Sequence, residues 1–380
     1  MLNKVIVAGH ICMDITPIFP AAAASSQIKE ILVPGSLIKV GAADLHSGGS
    51  VANTGLGLKL LGADARLMGK IGTDDFGKVI AGILEQYGAA EGLIRDAKSA
   101  TSYSIVLAIP GIDRIFLHNP GANDTFTCED IPVSALKDAV WFHFGYPTLM
   151  RKMYADNGEE LLKLFQRVKE QGLSTSLDMA AVNPNSEAAQ ADWKLILSRV
   201  LPYVDFFLPS IEELGFMLDR SLYEKWKERA DGQDITSILS IEEDVIPLAD
   251  RLLEMGTGVV MIKCGARGLY YRTSDKRNLE RTGSRLRLEL DSWSGKEGFE
   301  VSFLPDRVLS ATGAGDTCIA AFIAAVLRGD APESCVRLAA AEGACCVESY
   351  DAISSLKTLE ELEKKIQSGW KKNGNHPSVL

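Results

Sequence analysis

Along this chain, short unbroken apolar runs alternate with stretches in which apolar residues recur every three or four positions. Lys4-Val5-Ile6-Val7-Ala8-Gly9 reads as a buried strand. Arg66 to Ile71, Val140 to Phe144, Ser174 to Asp178, Val204 to Leu208 and Val259 to Lys263 read the same way. Between them lie helical patterns. Val51, Thr54, Gly55, Leu58 and Leu61 follow i, i+3, i+4, i+7 spacing, with Gly62 as the stop. Phe76, Ile80, Ile83 and Tyr87 mark the buried side of a second helix, with Asp74 and Asp75 in its first turn, where carboxylates suit the positive end of the dipole. Further helices are expected over Glu159 to Glu170 and near Ile211 to Leu218. Strands alternating with helices predict a parallel sheet covered on both faces.

Several segments break that rhythm. Residues 15–47, rich in Ala, Pro and Gly, read as irregular strands or a flap. Ser104 to Ile109 and Arg114 to His118 flank Pro110-Gly111-Ile112-Asp113, a hairpin signal. The polar residues 272–305 suggest extra hairpins or a surface insertion. An amphipathic helix carrying Leu356, Leu359, Leu362 and Ile366 precedes a tail, Asn373 to Leu380, expected to fray.

Composition then narrows the function classes. The 380 residues are 46% hydrophobic and 24% charged, enough for a sizeable core, and the whole is read as one domain, 1–380. A net charge of −10 with no basic run argues against nucleic acid or an anionic membrane as partner. The longest clean apolar run, Cys318 to Leu327, has 10 residues, and a bilayer needs about 20. Seven cysteines without a C-x-x-C, two of them adjacent, suggest buried thiols in a reducing compartment. Lys4, an apolar stretch and Ala21-Ala22-Ala23-Ala24 imitate a signal peptide. His10 and Asp14 interrupt it, so the cytoplasm is the expected location.

The sharpest chemical signal is Ser310-Ala311-Thr312-Gly313-Ala314-Gly315-Asp316-Thr317, leading into a helix apolar on nearly every face. Its N-terminus would present free N–H groups in a dry place, suited to a phosphate or a developing phosphoryl charge. Asp316 would repel a bound anion. It makes sense either as a base for a hydroxyl attacking phosphorus or as an ordinary first-turn carboxylate. Gly48-Gly49-Ser50-Val51-Ala52-Asn53 lets a ligand touch backbone, with Asn53 offering a donor and an acceptor, or simply makes a tight strand-to-helix turn. Asp14 could accept from two hydroxyls or cap a turn. Gly72-Thr73-Asp74-Asp75-Phe76-Gly77-Lys78-Val79 nearly spells a P-loop but lacks the final hydroxyl and puts two carboxylates where phosphates would lie. Gly313-Ala314-Gly315 lacks the third glycine of a dinucleotide fingerprint. His10 and His143 read as core or pocket residues, and Asn123-Asp124-Thr125 as a sequon without consequence.

Taken together and in order, these motifs resemble the ribokinase-like (PfkB) carbohydrate kinases over essentially the whole chain. Val5 to Asp14 looks like their first strand and sugar-binding Asp. Gly48, Gly49 and Asn53, continuing to Leu61-Gly62-Ala63, look like the first signature, and Lys70 to Gly77 is similar to the segment after it. Gly121-Ala122-Asn123 also fits. Val260 to Gly268 resembles the nucleotide-side turn, and Thr312 to Thr317 the second signature. The resemblance implies a three-layer α/β fold with a small β-lid from about 15–45 and 100–120. It implies ATP, Mg²⁺ and a monovalent cation as cofactors, and a homodimer through the lid. It implies phosphoryl transfer from ATP to a primary hydroxyl of a sugar, or of a nucleoside whose base Phe19, Phe116 or Phe126 would face; a non-catalytic binding protein is the third reading. Asp316 would be the base, and the amides of Gly313, Ala314 and Gly315 the anion hole. Asp14, Gly48, Gly49, Asn53 and Asn123 would hold the sugar. Thr312, Lys263, Gly265, Gly268 and Glu213 would serve ATP, with Glu213 placing Mg²⁺ through water. Five positions depart from the family pattern. Ser310 and Ala311 stand for Asp-Thr, and Ser210 for the Asn of N-x-x-E. Lys263 stands where Thr is frequent, and Asp178-Met179-Ala180 lacks an Asn.

Overall fold

The apolar runs become strands because alternate residues have two separate cores to fill. In β1 (Lys4–Gly9), Ile6 and Ala8 pack into one core while Val5 and Val7 pack into the other, all four without exposed surface. A strand buried on both faces cannot alternate with polar residues, hence its continuous apolar reading. The computed structural model describes residues 4–20, 28–112 and 115–374.

Besides β1 the main sheet contains β4 (Asp64–Gly72), β5 (Ile94–Asp96), β8 (Ala139–Gly145), β9 (Ser174–Asp178), β10 (Phe206–Phe207), β11 (Val259–Lys263), β12 (Gly268–Thr273) and β13 (Glu297–Val301). Their order is β13-β12-β11-β10-β9-β8-β1-β4-β5, parallel from β5 to β11 and antiparallel at β12 and β13. Helices Arg151–Glu170, Trp193–Val200, Ile211–Leu218 and Ile246–Glu254 cover one face. Helices Ser50–Leu60, Asp75–Glu85, Ala314–Arg328, Pro332–Cys346 and Leu359–Gln367 cover the other. This is the three-layer, ribokinase-like α/β arrangement. A second sheet of four strands, in the order β3-β2-β6-β7, joins β2 (Cys12–Pro17), β3 (Ala43–Gly48), β6 (Tyr103–Leu107) and β7 (Ile115–Asn119). It draws on the two segments expected to supply a β-lid.

The structure departs locally from the sequence pattern. Ser50–Leu60 is buried all round through Leu58 rather than on one stripe. It lies between the sheet and Ala314–Arg328, where a Cβ on Gly57 would sit 3.0 Å from that of Ala320. Asp74 stands before its helix as the N-cap, accepting from Gly77 N at 2.9 Å and from Thr101 N at 2.8 Å. Ile80 and Leu84 are the buried side chains of that helix, while Phe76, Ile83 and Tyr87 are half-buried. The Val204 to Leu208 run shortens to a two-residue strand, because Val204 still closes a 3-10 turn. Arg151–Glu170 contains a non-helical break at Ala155 to Gly158, so its regular part runs from Glu159. Leu356 lies outside the helix Leu359–Gln367, whose buried residues are Leu359 and Leu362. Residues 272–305 place Trp293 in the core against Phe206 and Phe322. All seven cysteines are buried and free. No helix among the described residues is long and apolar enough to cross a membrane. Ala21 to Ala24, Asp113, Arg114 and residues 375–380 lie outside the described residues, while Asn373 N bonds Ser302 O.

Candidate active site

The C-terminal ends of β1, β8, β9 and β11 point their following residues toward the start of the helix Ala314–Arg328. That is where parallel α/β sheets offer space for ligands. The helix opens at Gly313, whose φ of 78° lies in the left-handed region. A Cβ there would come within 2.3 Å of the Ala352 Cβ, so a side chain is excluded twice over. The N–H groups of a first helical turn have no carbonyl one turn earlier to bond. Ala314 N makes only a long 3.4 Å contact with Ala311 O. Thr312 to Gly315 are partly exposed, and Gly313 and Gly315 line a cavity of about 260 Å³. The helix end is therefore open.

Asp316, two residues inside, is 1% exposed and lines the same cavity. Its Oδ2 accepts from Asn53 Nδ2 at 2.9 Å and from the Tyr146 hydroxyl at 2.7 Å. Its Oδ1 accepts from Thr54 Oγ1 at 3.2 Å. Burial pushes the carboxyl above its ordinary range, while these bonds and Lys263 draw it back. Lys263, last residue of β11, reaches beneath the helix end: a Cβ on Gly315 would lie 3.3 Å from its Cε. Its Nζ is 2.5 Å from Asp178 Oδ1 and 2.7 Å from Leu208 O. The ammonium stays charged: burial opposes it, but Asp178, Glu213 and Asp316 outweigh burial. Lys263 is thus a buried charge within the site, only 13% exposed.

Three carboxylates (Asp178, Glu213, Asp316) and one ammonium wall this cavity. Burial holds Asp178 up to about 8, and Glu213 and Asp316 would suit a divalent cation held through water. Among the described residues no three His, Cys, Asp or Glu side chains close around a metal directly. Glu213 already spends Oε2 on Ser210 N at 2.7 Å, and Ser210 Oγ accepts from Glu213 N in return. This capping box explains why Ser works at position 210. Ser310 Oγ likewise accepts from Thr312 N at 3.1 Å.

On the other side, the small sheet aligns His46, Asp14, Ser104 and His118 in one row across its four strands. Ser104 bonds the His118 Nδ1 at 2.9 Å, and Cys12 Sγ lies 3.2 Å from Asp14 Oδ1. Burial raises the Asp14 carboxyl. A Cβ at position 48 would fall 2.0 Å from Asp14 Oδ2, so any side chain there would displace the Asp14 carboxylate. Gly49, with φ of 85°, caps the helix Ser50–Leu60 against His10. The His10 ring centroid lies 5.4 Å from that of His118 and 6.0 Å from that of Tyr146. Burial lowers His10 to about 3, and neither ring nitrogen has a hydrogen-bond partner among the described residues.

The sequence-derived candidates therefore divide. Asp316, Gly313, Gly315, Lys263 and Glu213 share one cavity, with Ala314 at its helical edge. Asn53 bonds the Asp316 carboxylate. Asn123 is fully buried, donates to Ile11 O at 2.9 Å and accepts from Ile11 N at 3.2 Å, so its amide clamps backbone. Gly265 packs on Thr236 and Gly268 on Glu300 O, and neither lines the cavity. Phe126 is also unavailable as a ligand wall, because it is buried against Phe144. His143 is a core residue between Ser50 and Ser176. Sequence reasoning missed Tyr146 and the roles of Thr54 and Asp178. The available signal was their position directly after, or across from, the ends of apolar strands.

Comparison with known proteins gives the family and the fold. The model of the pfkB family carbohydrate kinases matches residues 3–359. The chain is 26% identical over 334 residues to fructokinase-1 of Oryza sativa subsp. japonica, covering 84% of this chain and 88% of that one. It superposes on Arabidopsis thaliana ribokinase, solved with ribose and ATP, with a TM-score of 0.68 at 19% identity, covering 96% and 98% of the two chains. A ribokinase II from E. coli, solved with ATP and Mg²⁺, gives 0.67 at 21% identity, covering 97% and 100%. The chain belongs to the pfkB family of carbohydrate kinases.

Proposed function

We propose that this carbohydrate kinase transfers the γ-phosphoryl group of ATP to a primary hydroxyl of a sugar, with Asp316 as general base. The observation that carries the reading is Asp316 itself: a buried carboxylate at an open, glycine-built helix N-terminus, in a cavity shared with Lys263. Asp316 takes the hydroxyl proton as the alcohol oxygen bonds to phosphorus. The bond from that phosphorus to the β–γ bridging oxygen breaks, and its electron pair leaves on ADP. The amides at Gly313 to Gly315 and the Lys263 ammonium stabilise charge on the transferring group. Thr312 flanks this end of the nucleotide. When bound, Mg²⁺ would neutralise phosphate charge, with Glu213 as the residue able to hold its water. For a monovalent cation, Ser310 and Ala311 bring no carboxylate.

The acceptor lies between the helix end and the small sheet, which acts as the lid and excludes water. Its wall is polar: Asp14, Ser104, His118 and His10. The ring contacts that join the small sheet to Tyr146 run through the imidazoles of His10 and His118, which favours a polyhydroxylated substrate over a nucleoside base. The lid's outer surface, with Leu45 and Leu117 exposed, supports a homodimer through this sheet.

Asp316→Asn tests the assignment. It should keep the fold and ATP binding measured by calorimetry, and lose about 10²–10⁴-fold in turnover. Turnover like the wild type would refute the role of Asp316.

A further inference from the structure

The hydroxyl of Tyr146 bonds the carboxylate that the reaction needs, and it does so from an uncommon backbone conformation. Tyr146 follows β8 with φ 66° and ψ 44°, the left-handed region that few residues other than glycine, asparagine and aspartate adopt. Pro147 follows it, and the Tyr146 N–H donates to Asp178 O at 3.2 Å. Strain of this kind persists where the surroundings over-determine it, and it clusters at functional sites. Here its result is specific: the phenol lines the cavity and reaches Asp316 Oδ2 at 2.7 Å.

A carboxylate oxygen has two lone-pair directions. Oδ2 accepts from both Asn53 and Tyr146, whereas among the described residues Oδ1 accepts from Thr54 alone, at 3.2 Å and shared with the Asp316 carbonyl oxygen at 3.4 Å. We propose that Tyr146 is a positioning residue that, with Asn53, saturates Oδ2 of Asp316, so that the acceptor hydroxyl delivers its proton to Oδ1. The inference rests on Asp316 being the base. The proton leaves the alcohol for Oδ1 while the alcohol oxygen bonds to phosphorus, and Tyr146 keeps its own proton throughout. Burial and the nearby carboxylates push the phenol well above its ordinary range, so it remains a donor at any working pH.

The consequence is a pH dependence. Asp316 is faced by Tyr146 after β8, Asn53 and Thr54 from Ser50–Leu60, and Lys263 from β11. Asp178 from β9 and Glu213 from Ile211–Leu218 share its cavity. The thiols of Cys12, Cys318 and Cys346 also lie within its field. A donor to the ionised carboxylate favours that form. Tyr146→Phe removes one, so Asp316 holds its proton to higher pH and the acid limb of kcat/KM moves upward, by about one to two pH units. Above the limb the variant should lose less rate than below it, and this pH-dependent split is what a merely structural role would not produce. Replacing Tyr146 with 3,5-difluorotyrosine keeps the ring and strengthens the donor; the limb then moves downward.

The experiment is a kcat/KM–pH profile for the wild type, Tyr146→Phe, the difluorotyrosine protein and Asp316→Asn, with sugar and ATP varied in turn. Opposite limb shifts in the two Tyr146 proteins support the inference. Equal loss at every pH, an unmoved limb, or a lower sugar KM in Tyr146→Phe (the phenol then competing with the acceptor) overturns it. If Asp316→Asn turns over normally, the base assignment fails first. If that variant is inactive and the limb does not move, only the role of Tyr146 fails.

Discussion

Replacing Lys263 with methionine isolates the charge beneath the helix end. Methionine keeps the stem that packs near Gly315 and removes only the ammonium. Asp178, 2% exposed, then loses its partner at 2.5 Å, while Glu213 and Asp316 remain. Breaking a buried pair by deleting one member typically costs about 3–5 kcal/mol. The structure also sets a ceiling, because the stranded carboxyl can take up a proton instead. From its ordinary pKa of 3.8, protonation at pH 7 costs about 4 kcal/mol, and at pH 5 only about 1.6 kcal/mol. The sign follows. In the variant the folded state holds a proton that the unfolded chain releases, so stability is retained below pH 3.8 and lost as pH rises. Burial holds Asp178 up to about 8 even though Lys263 draws it down, so the wild type carries the same slope below that pH. Urea unfolding of Lys263→Met should show a deficit that is constant between pH 5 and 7 and grows by up to about 1.4 kcal/mol per pH unit above about pH 8. Adding Asp178→Asn should remove most of that slope. Turnover should fall about 10²–10³-fold, the usual cost of one lost charge-stabilising donor. A deficit that already widens between pH 5 and 7, or a widening at higher pH that Asp178→Asn leaves untouched, would show that Asp178 does not carry this pH dependence.

Asn123→Ala leaves both the N–H and the C=O of Ile11 unpaired in the core. It should lower stability by about 2–5 kcal/mol in thermal or denaturant unfolding while the sugar KM of the folded fraction stays put; a raised KM at unchanged stability would return Asn123 to the substrate. Glu342 has no exposed surface, and burial raises it to about 8 from 4.5 while it accepts from Lys357 N. The folded state therefore holds a proton that the unfolded chain releases, and stability declines as pH climbs from about 4.5 to 8. Glu342→Gln should gain on the wild type across that window, by up to about 1.4 kcal/mol per pH unit, and match it near pH 4; parallel stability curves from pH 4 to 9 would refute the assignment.

Much of the architecture was legible in the sequence because its signals are local. Runs such as Val5 to Ala8 and Val259 to Ile262 announce strands buried on both faces, and Gly313 with Gly329 brackets a buried helix. The helix end and its acid were legible for the same reason, since N–H groups, glycines and Asp316 lie within a few residues of one another. What lay hidden was pairing across the sheet. Asp316 takes its bonds from positions 263, 262 and 170 residues away, and Lys263 finds Asp178 at a separation of 85. Asn123 looked like a substrate ligand and became a clamp on Ile11, 112 residues distant. Strand order in the sheet is not strand order in the chain. Which residues meet at the strand ends, and whether a buried polar group faces backbone, a charge or open cavity, is therefore settled by how the layers close.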